Sequence, residues 1–93
     1  MKVDLDFNLK DLSGNEIKDA HAGKLVASAL SQSNKGNSIK LFDWAMKLWN
    51  KEVLELDDTD FNVLKAFISE SEYMTVLAKG QIVKFLDNGK EEN

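Results

Sequence analysis

The sequence predicts an α+β fold, mainly α, in which an N-terminal β-hairpin packs against a bundle of about four short helices. Three observations predict it. Apolar and polar residues alternate strictly from Met1 to Lys10, the period of a strand with one face on a core. Beyond residue 19 the apolar residues recur at helical spacing in four successive stretches. Between those stretches stand Asp, Asn, Ser and Gly, the residues that cap helices and form turns. With 93 residues, 43% of them hydrophobic, the chain is expected to be one ordered domain.

The hairpin is assigned to residues 1–18. Met1, Val3, Leu5, Phe7 and Leu9 supply its apolar face, and Lys2, Asp4, Asp6, Asn8 and Lys10 its polar one. Ser13-Gly14-Asn15 offers the left-handed conformations of a tight turn. Glu16-Ile17-Lys18 returns as a short second arm, with Leu12 and Ile17 near the mouth. A lone hairpin is marginal in water, so it must lie against the helices or pair with something else.

Asp19 is placed to cap a first helix over 20–32, with Ala22, Leu25, Val26, Ala29 and Leu30 as its apolar face. The polar stretch 31–37 reads as a mobile loop. Asn37 or Ser38 should cap a second helix over 38–51. Here Ile39, Leu41, Phe42, Trp44, Ala45, Met46, Leu48 and Trp49 cover most of the circumference, and only Lys40, Asp43, Lys47 and Asn50 form a polar strip. An ordinary surface helix has one apolar arc. This one is therefore central, or one of its sides faces a partner. Trp44 and Trp49 lie about 140° apart around a helix, so one surface cannot easily take both. Leu41, Trp44, Leu48 and Trp49 are the candidate interface residues.

Residues 52–56 read as extended, either a short strand or a bridge between elements. Asp58 is expected to cap a third helix over 59–70, with Phe61, Leu64, Phe67 and Ile68 as its stripe. Ser71 or Glu72 should begin a fourth helix over 72–87, lined by Met74, Leu77, Ala78, Ile82, Phe85 and Leu86. Gly80, beside Ala78, reads as a point where another backbone crosses closely. Asn88-Gly89 should end this helix, leaving 88–93 as a flexible tail.

The inventory of reactive residues is short. Arginine, cysteine and proline are absent, and His21 is the only imidazole. No cysteine means no disulfide scaffold and no thiolate metal site, and fits a reducing compartment. No G-x-S-x-G elbow accompanies His21, so the expectation is no catalytic residue and a non-enzymatic protein. Asp57, Asp58 and Asp60 suit a helix start and lack the spacing of a calcium loop, so no metal or cofactor is expected. The Lys35-Gly36 pair before a helix lacks the glycines and the Lys-Ser/Thr ending of a phosphate loop. No run approaches 18 apolar residues, and Asp4 and Asp6 interrupt any signal-peptide core, so no membrane association and a cytoplasmic location are expected.

The charge is uneven. Residues 1–51 hold eight lysines and six acids, +2, and residues 52–93 hold four lysines and ten acids, −6, for a net −4. A phosphate backbone asks for a basic stripe, and arginine is its usual fork. Tight nucleic-acid binding is therefore not expected. The alternative function, a nucleic-acid-associated regulator, would use the lysines of the first two helices: Lys40, Lys47 and Lys51, with Lys24 and Lys35 nearby.

The order of several short motifs carries a resemblance. Lys10-Asp11-Leu12-Ser13-Gly14-Asn15-Glu16-Ile17 is followed by Gly23-Lys24-Leu25-Val26-Ala27 with Ala29-Leu30. Leu54-Glu55-Leu56-Asp57-Asp58 with Phe61 and Leu64 comes next, and then Val76-Leu77-Ala78-Lys79-Gly80-Gln81. Over about residues 9–86 this resembles small proteins of tailed bacteriophages and prophages, in which a DL-x-G-x-x-I turn precedes a leucine-alanine helix. Members of this kind mostly carry no assigned activity; with the all-round apolar second helix and the missing catalytic residues, the expectation is a phage or prophage accessory factor in the host cytoplasm that binds a phage or host protein, or itself. The resemblance transfers no functional residues, and the 18–22 connection is shorter here than in many look-alikes.

Overall fold

The computed structural model describes residues 1–34 and 36–92, with side chains as far as Asn88. The fold is α+β and mainly α, with a small two-stranded hairpin near the N-terminus and four helices. In chain order the elements are β1 (Lys2–Val3), β2 (Asn8–Lys10), β3 (Glu16–His21), α1 (Ala22–Gln32), α2 (Ser38–Trp49), β4 (Leu54–Glu55), α3 (Asp58–Glu70) and α4 (Val76–Glu92).

The alternating N-terminal run is divided between two sheets. β1 pairs antiparallel with β4, Lys2 opposite Glu55 and Val3 opposite Leu54, and the Leu56 amide donates to the Met1 carbonyl at 2.8 Å. β2 pairs antiparallel with β3 in the hairpin, with a register shift between Asn8 and Lys10. Alternation thus placed Val3, Leu5 and Leu9 in the core, but a single strand over 1–9 does not form. The start of α1 is the reason. Leu5 and Phe7 turn their carbonyls to it: Leu5 accepts from the Gly23 amide at 3.0 Å and Phe7 from the Ala22 amide at 2.8 Å. These are donors that a helix start leaves orphaned. The hairpin turn is tied by the Asp11 carboxylate, which accepts from the Ser13 and Asn15 amides, while Gly14 takes φ +92°.

Three helix starts differ from the sequence expectation. His21, not Asp19, caps α1: its ring Nδ1 accepts from the Lys24 amide at 3.2 Å. Asp19 belongs to β3, with φ +64°. Asp57, not Asp58, caps α3 by accepting from the Asp60 amide at 2.7 Å. The two acids inside the first turn still complement the helix dipole. α4 starts at Val76, not 72, because residues 71–75 are spent on a turn. There the Ser71 hydroxyl accepts from the Tyr73 amide, and Thr75 Oγ1 caps the helix by accepting from the Ala78 amide.

Two ends differ as well. α2 stops at Trp49, two residues early. Lys51 takes φ +62°, its amide donates to Leu48, and the Glu52 amide donates to Lys47. That is a Schellman closure with lysine in the position glycine usually holds. α4 runs through Asn88 and Gly89 to Glu92, so 88–92 continue the helix and do not form a separate tail. Asn93 lies outside the described residues.

The core joins β1, β2, β4 and the inner faces of all four helices. Leu5, Leu48, Leu54, Leu64, Ile68, Ile82 and Val26 are its largest fully enclosed side chains. α1 packs closely on α2, and Gly23 permits it. A Cβ there would stand 3.1 Å from the Leu48 carbonyl and 3.2 Å from the Leu5 carbonyl. A Cβ added at Gly80, expected at such a crossing, would meet no heavy atom of another element within 4 Å among the described residues, and Gly80 is exposed. The hairpin is held to α4 by Gln81, whose amide accepts from the Lys10 N–H at 2.9 Å and donates to the Lys10 carbonyl at 2.6 Å. One side chain thus stands in for a neighbouring strand at that edge. Phe7 and Phe85 add a tilted ring contact at 4.7 Å.

Candidate functional site

α2 forms where it does because Asn37 Oδ1 accepts from the Lys40 amide at 3.1 Å, and because no residue after Ile39 in the helix is β-branched, glycine or proline. Its apolar residues fall into two arcs. Leu41, Trp44, Ala45 and Leu48 form the inner arc, all buried. Ile39, Phe42, Met46 and Trp49 form the outer arc, respectively 83%, 65%, 50% and 53% exposed. Their spacing of three, four and three keeps the outer four within about 80° of the helix circumference.

The candidate interface residues are therefore divided. Leu41, Trp44 and Leu48 are buried on the inner arc, and Trp49 is the member that faces outward. Ile39, Phe42 and Met46 join it, although the sequence pattern did not single them out as interface residues. One signal in the sequence could have found them. Ala45 is the only small apolar residue of α2, and it marks the side packed closely against the alanine- and glycine-bearing face of α1. Everything apolar on the opposite arc is then outward.

The outer arc has a defined border. Lys24 of α1 places its Nζ 5.1 Å from the Trp49 ring centroid, a cation–π distance. On the other side runs the polar strip. Lys47 pairs with Asp43 at 3.3 Å, Lys40 crosses to Asp60 of α3 at 2.9 Å, and the Asn50 amide donates to the Met46 carbonyl. Two of the lysines assigned to a nucleic-acid face thus already hold carboxylates. Lys35 lies outside the described residues.

The remaining candidates have structural occupations. Asp57 is a cap, Asp60 holds Lys40, and Asp58 stands in the first turn of α3. Among the described residues no group of three or more metal-ligating side chains converges. His21 has both ring nitrogens engaged. Nδ1 accepts from the Lys24 amide, and Nε2 lies 2.8 Å from Asp6 Oδ1. In the tautomer this requires, Nε2 carries the proton and donates it to Asp6.

A concave feature lies apart from the outer arc. Between the start of α2 and the side of α3, a groove of about 610 Å³ is lined by Leu41, Val63, Phe67 and Tyr73, with the Lys40–Asp60 pair and Glu70 at its edge. Among the described residues, no helix is long and apolar enough to cross a membrane.

Compared with protein-family models, with curated proteins and with solved structures, the chain finds no significant match.

Proposed function

We propose that this chain is a non-enzymatic protein–protein interaction module that docks through the outer arc of α2. The observation that carries this reading is the row of Ile39, Phe42, Met46 and Trp49, each at least half exposed on one side of a single helix. Taking roughly 150–250 Å² for a large side chain, the row offers about 500 Å² of apolar surface. That is near the largest patch a typical monomer exposes, and patches of this size often mark interaction sites. The inner arc already supplies what the fold needs from α2, so folding does not explain the outer one. Trp49, with Lys24 over its ring, has the amphipathic character that interface anchors share.

The biological setting in this proposal is a phage or prophage accessory factor in the host cytoplasm, and it rests on the ordered motifs of the sequence. Nucleic acid ranks below protein as a partner, because the Lys40–Asp60 and Lys47–Asp43 pairs offset the positive charge of the lysine strip.

The test is capture. The immobilised chain and its Phe42→Glu variant are exposed to the same lysate, and the retained proteins are compared by mass spectrometry. The reading predicts a partner, or the chain itself, retained by the parent and lost by the variant. Retention that is identical for both contradicts it.

A further inference from the structure

We infer that the occupant of the outer arc is a second copy of the same chain, held as an antiparallel pair of α2 helices about a two-fold axis. This rests on the docking reading above and names its partner. The spacing of the arc carries the inference. Positions 39, 42, 46 and 49 are symmetric about position 44, so reversing the helix places 39 opposite 49 and 42 opposite 46. A two-fold interface demands this property, that residue i meets j while j meets i. The side chains match under the operation. Phe42 of each copy meets Met46 of the other, a favourable sulfur–aromatic pairing, and Ile39 lies against the exposed Trp49 ring.

The bordering charges agree. The same flank of each helix faces its counterpart in an antiparallel pair, which brings Asp43 of one copy toward Lys47 of the other. These two residues already pair within the helix at 3.3 Å, and can exchange partners across the axis. The area is sufficient. About 500 Å² from each copy gives roughly 1,000 Å² in all before the polar border is counted, the lower bound for a specific interface. The groove beside α3 has no comparable support, since nothing about its lining selects an occupant.

Sedimentation equilibrium over a wide concentration range tests the inference. The expected result is a reversible monomer–dimer equilibrium with a dissociation constant on the order of 10–100 µM, as suits a small interface. Phe42→Glu should weaken it at least tenfold while keeping the helical circular dichroism. Should that variant unfold, Ile39→Glu, at the most exposed position of the arc, repeats the test. A single monomeric species up to about 1 mM overturns the dimer, as does a dimer that both variants leave intact. Monomer mass together with Phe42-dependent capture of another protein would sink the dimer and leave the docking reading standing.

The orientation has its own test, made clean by the absence of native cysteine. Phe42→Cys and Met46→Cys chains should form a disulfide when mixed and oxidised. Phe42→Cys by itself should not, because its two copies are offset by four residues, about 6 Å along the axis. A disulfide in the Phe42→Cys sample by itself, or in neither sample, overturns the antiparallel arrangement.

Discussion

Gly23 lies against the carbonyl of Leu48 so closely that a methyl group at 23 would stand 3.1 Å from that oxygen. The Leu5 carbonyl limits it from another side at 3.2 Å, and it also accepts the Gly23 amide. Both neighbours are backbone and cannot swing away. Gly23→Ala should therefore cost about 1–3 kcal/mol through displacement of α1 from α2. Gly80→Ala should do the opposite, raising stability by up to about 1 kcal/mol, since a Cβ there would meet no heavy atom of another element within 4 Å among the described residues and alanine favours the helix. Urea unfolding of the two variants checks the pair. A neutral Gly23→Ala would show that the helices are not in close contact there.

His21→Ala should destabilise the protein by about 1 kcal/mol through loss of the α1 cap. His21→Asn should retain much of that, because its amide oxygen can take the Lys24 N–H. Asp19→Ala should not resemble a cap loss, since Asp19 does not cap α1. Thermal melts of the three variants decide, and a larger effect at Asp19 than at His21 would contradict the observed cap.

Lys51→Gly should stabilise the chain by about 0.5–1 kcal/mol. The left-handed backbone at φ +62° strains a residue with a Cβ, and glycine removes that strain against a modest entropic cost in the unfolded chain. Unfolding midpoints measure it directly. Destabilisation would mean that the Lys51 side chain contributes more than its backbone costs.

These positions show what the sequence could and could not disclose. Period and capping chemistry made the fold class and the existence of all four helices legible, because local residue preferences specify them. Alternation also identified Val3, Leu5 and Leu9 as inward-facing. The division of that run between β4 and the hairpin depends on Leu54, about fifty residues away, and on α1 needing the Leu5 and Phe7 carbonyls. Neither is a local property. The caps of α1 and α3 lie two residues after and one residue before the expected ones: Asp57 and Asp58 are equivalent carboxylates, and Asp19, the better capping residue by type, is held in β3 and leaves the cap to His21. At the candidate site, α2 was legible as having too much apolar surface for one core. Which arc is surplus depends on where α1 packs, and this non-local contact is why three of the four candidate interface residues, Leu41, Trp44 and Leu48, are buried.

Trp44 and Trp49 should respond differently to a soluble quencher. In Trp49→Phe, the remaining Trp44 is 5% exposed and should resist acrylamide. In Trp44→Phe, the remaining Trp49 is 53% exposed and should be quenched readily at low concentration. Equal quenching in the two variants would contradict the two-faced description of α2.

Mixed-sequence DNA and RNA should show no saturable sub-micromolar binding by fluorescence anisotropy at about 150 mM salt, where surface charges beyond about 8 Å are screened. Five acids lie between residues 52 and 60, and Lys40 and Lys47 hold carboxylates. Tight binding weakened by Lys40→Glu and Lys47→Glu would place a nucleic acid above a protein partner.

The central claim is that α2 folds the protein with one arc and docks with the other. Equilibrium urea unfolding of Phe42→Gln/Met46→Gln at low micromolar concentration tests it most directly, because both substitutions keep good helix propensity while removing the outer apolar surface. The expected unfolding free energy lies within about 1 kcal/mol of the parent chain, as for exposed positions in general. A loss of about 3 kcal/mol or more, the scale of emptying a core site, would show that the outer arc belongs to the fold and would contradict the claim.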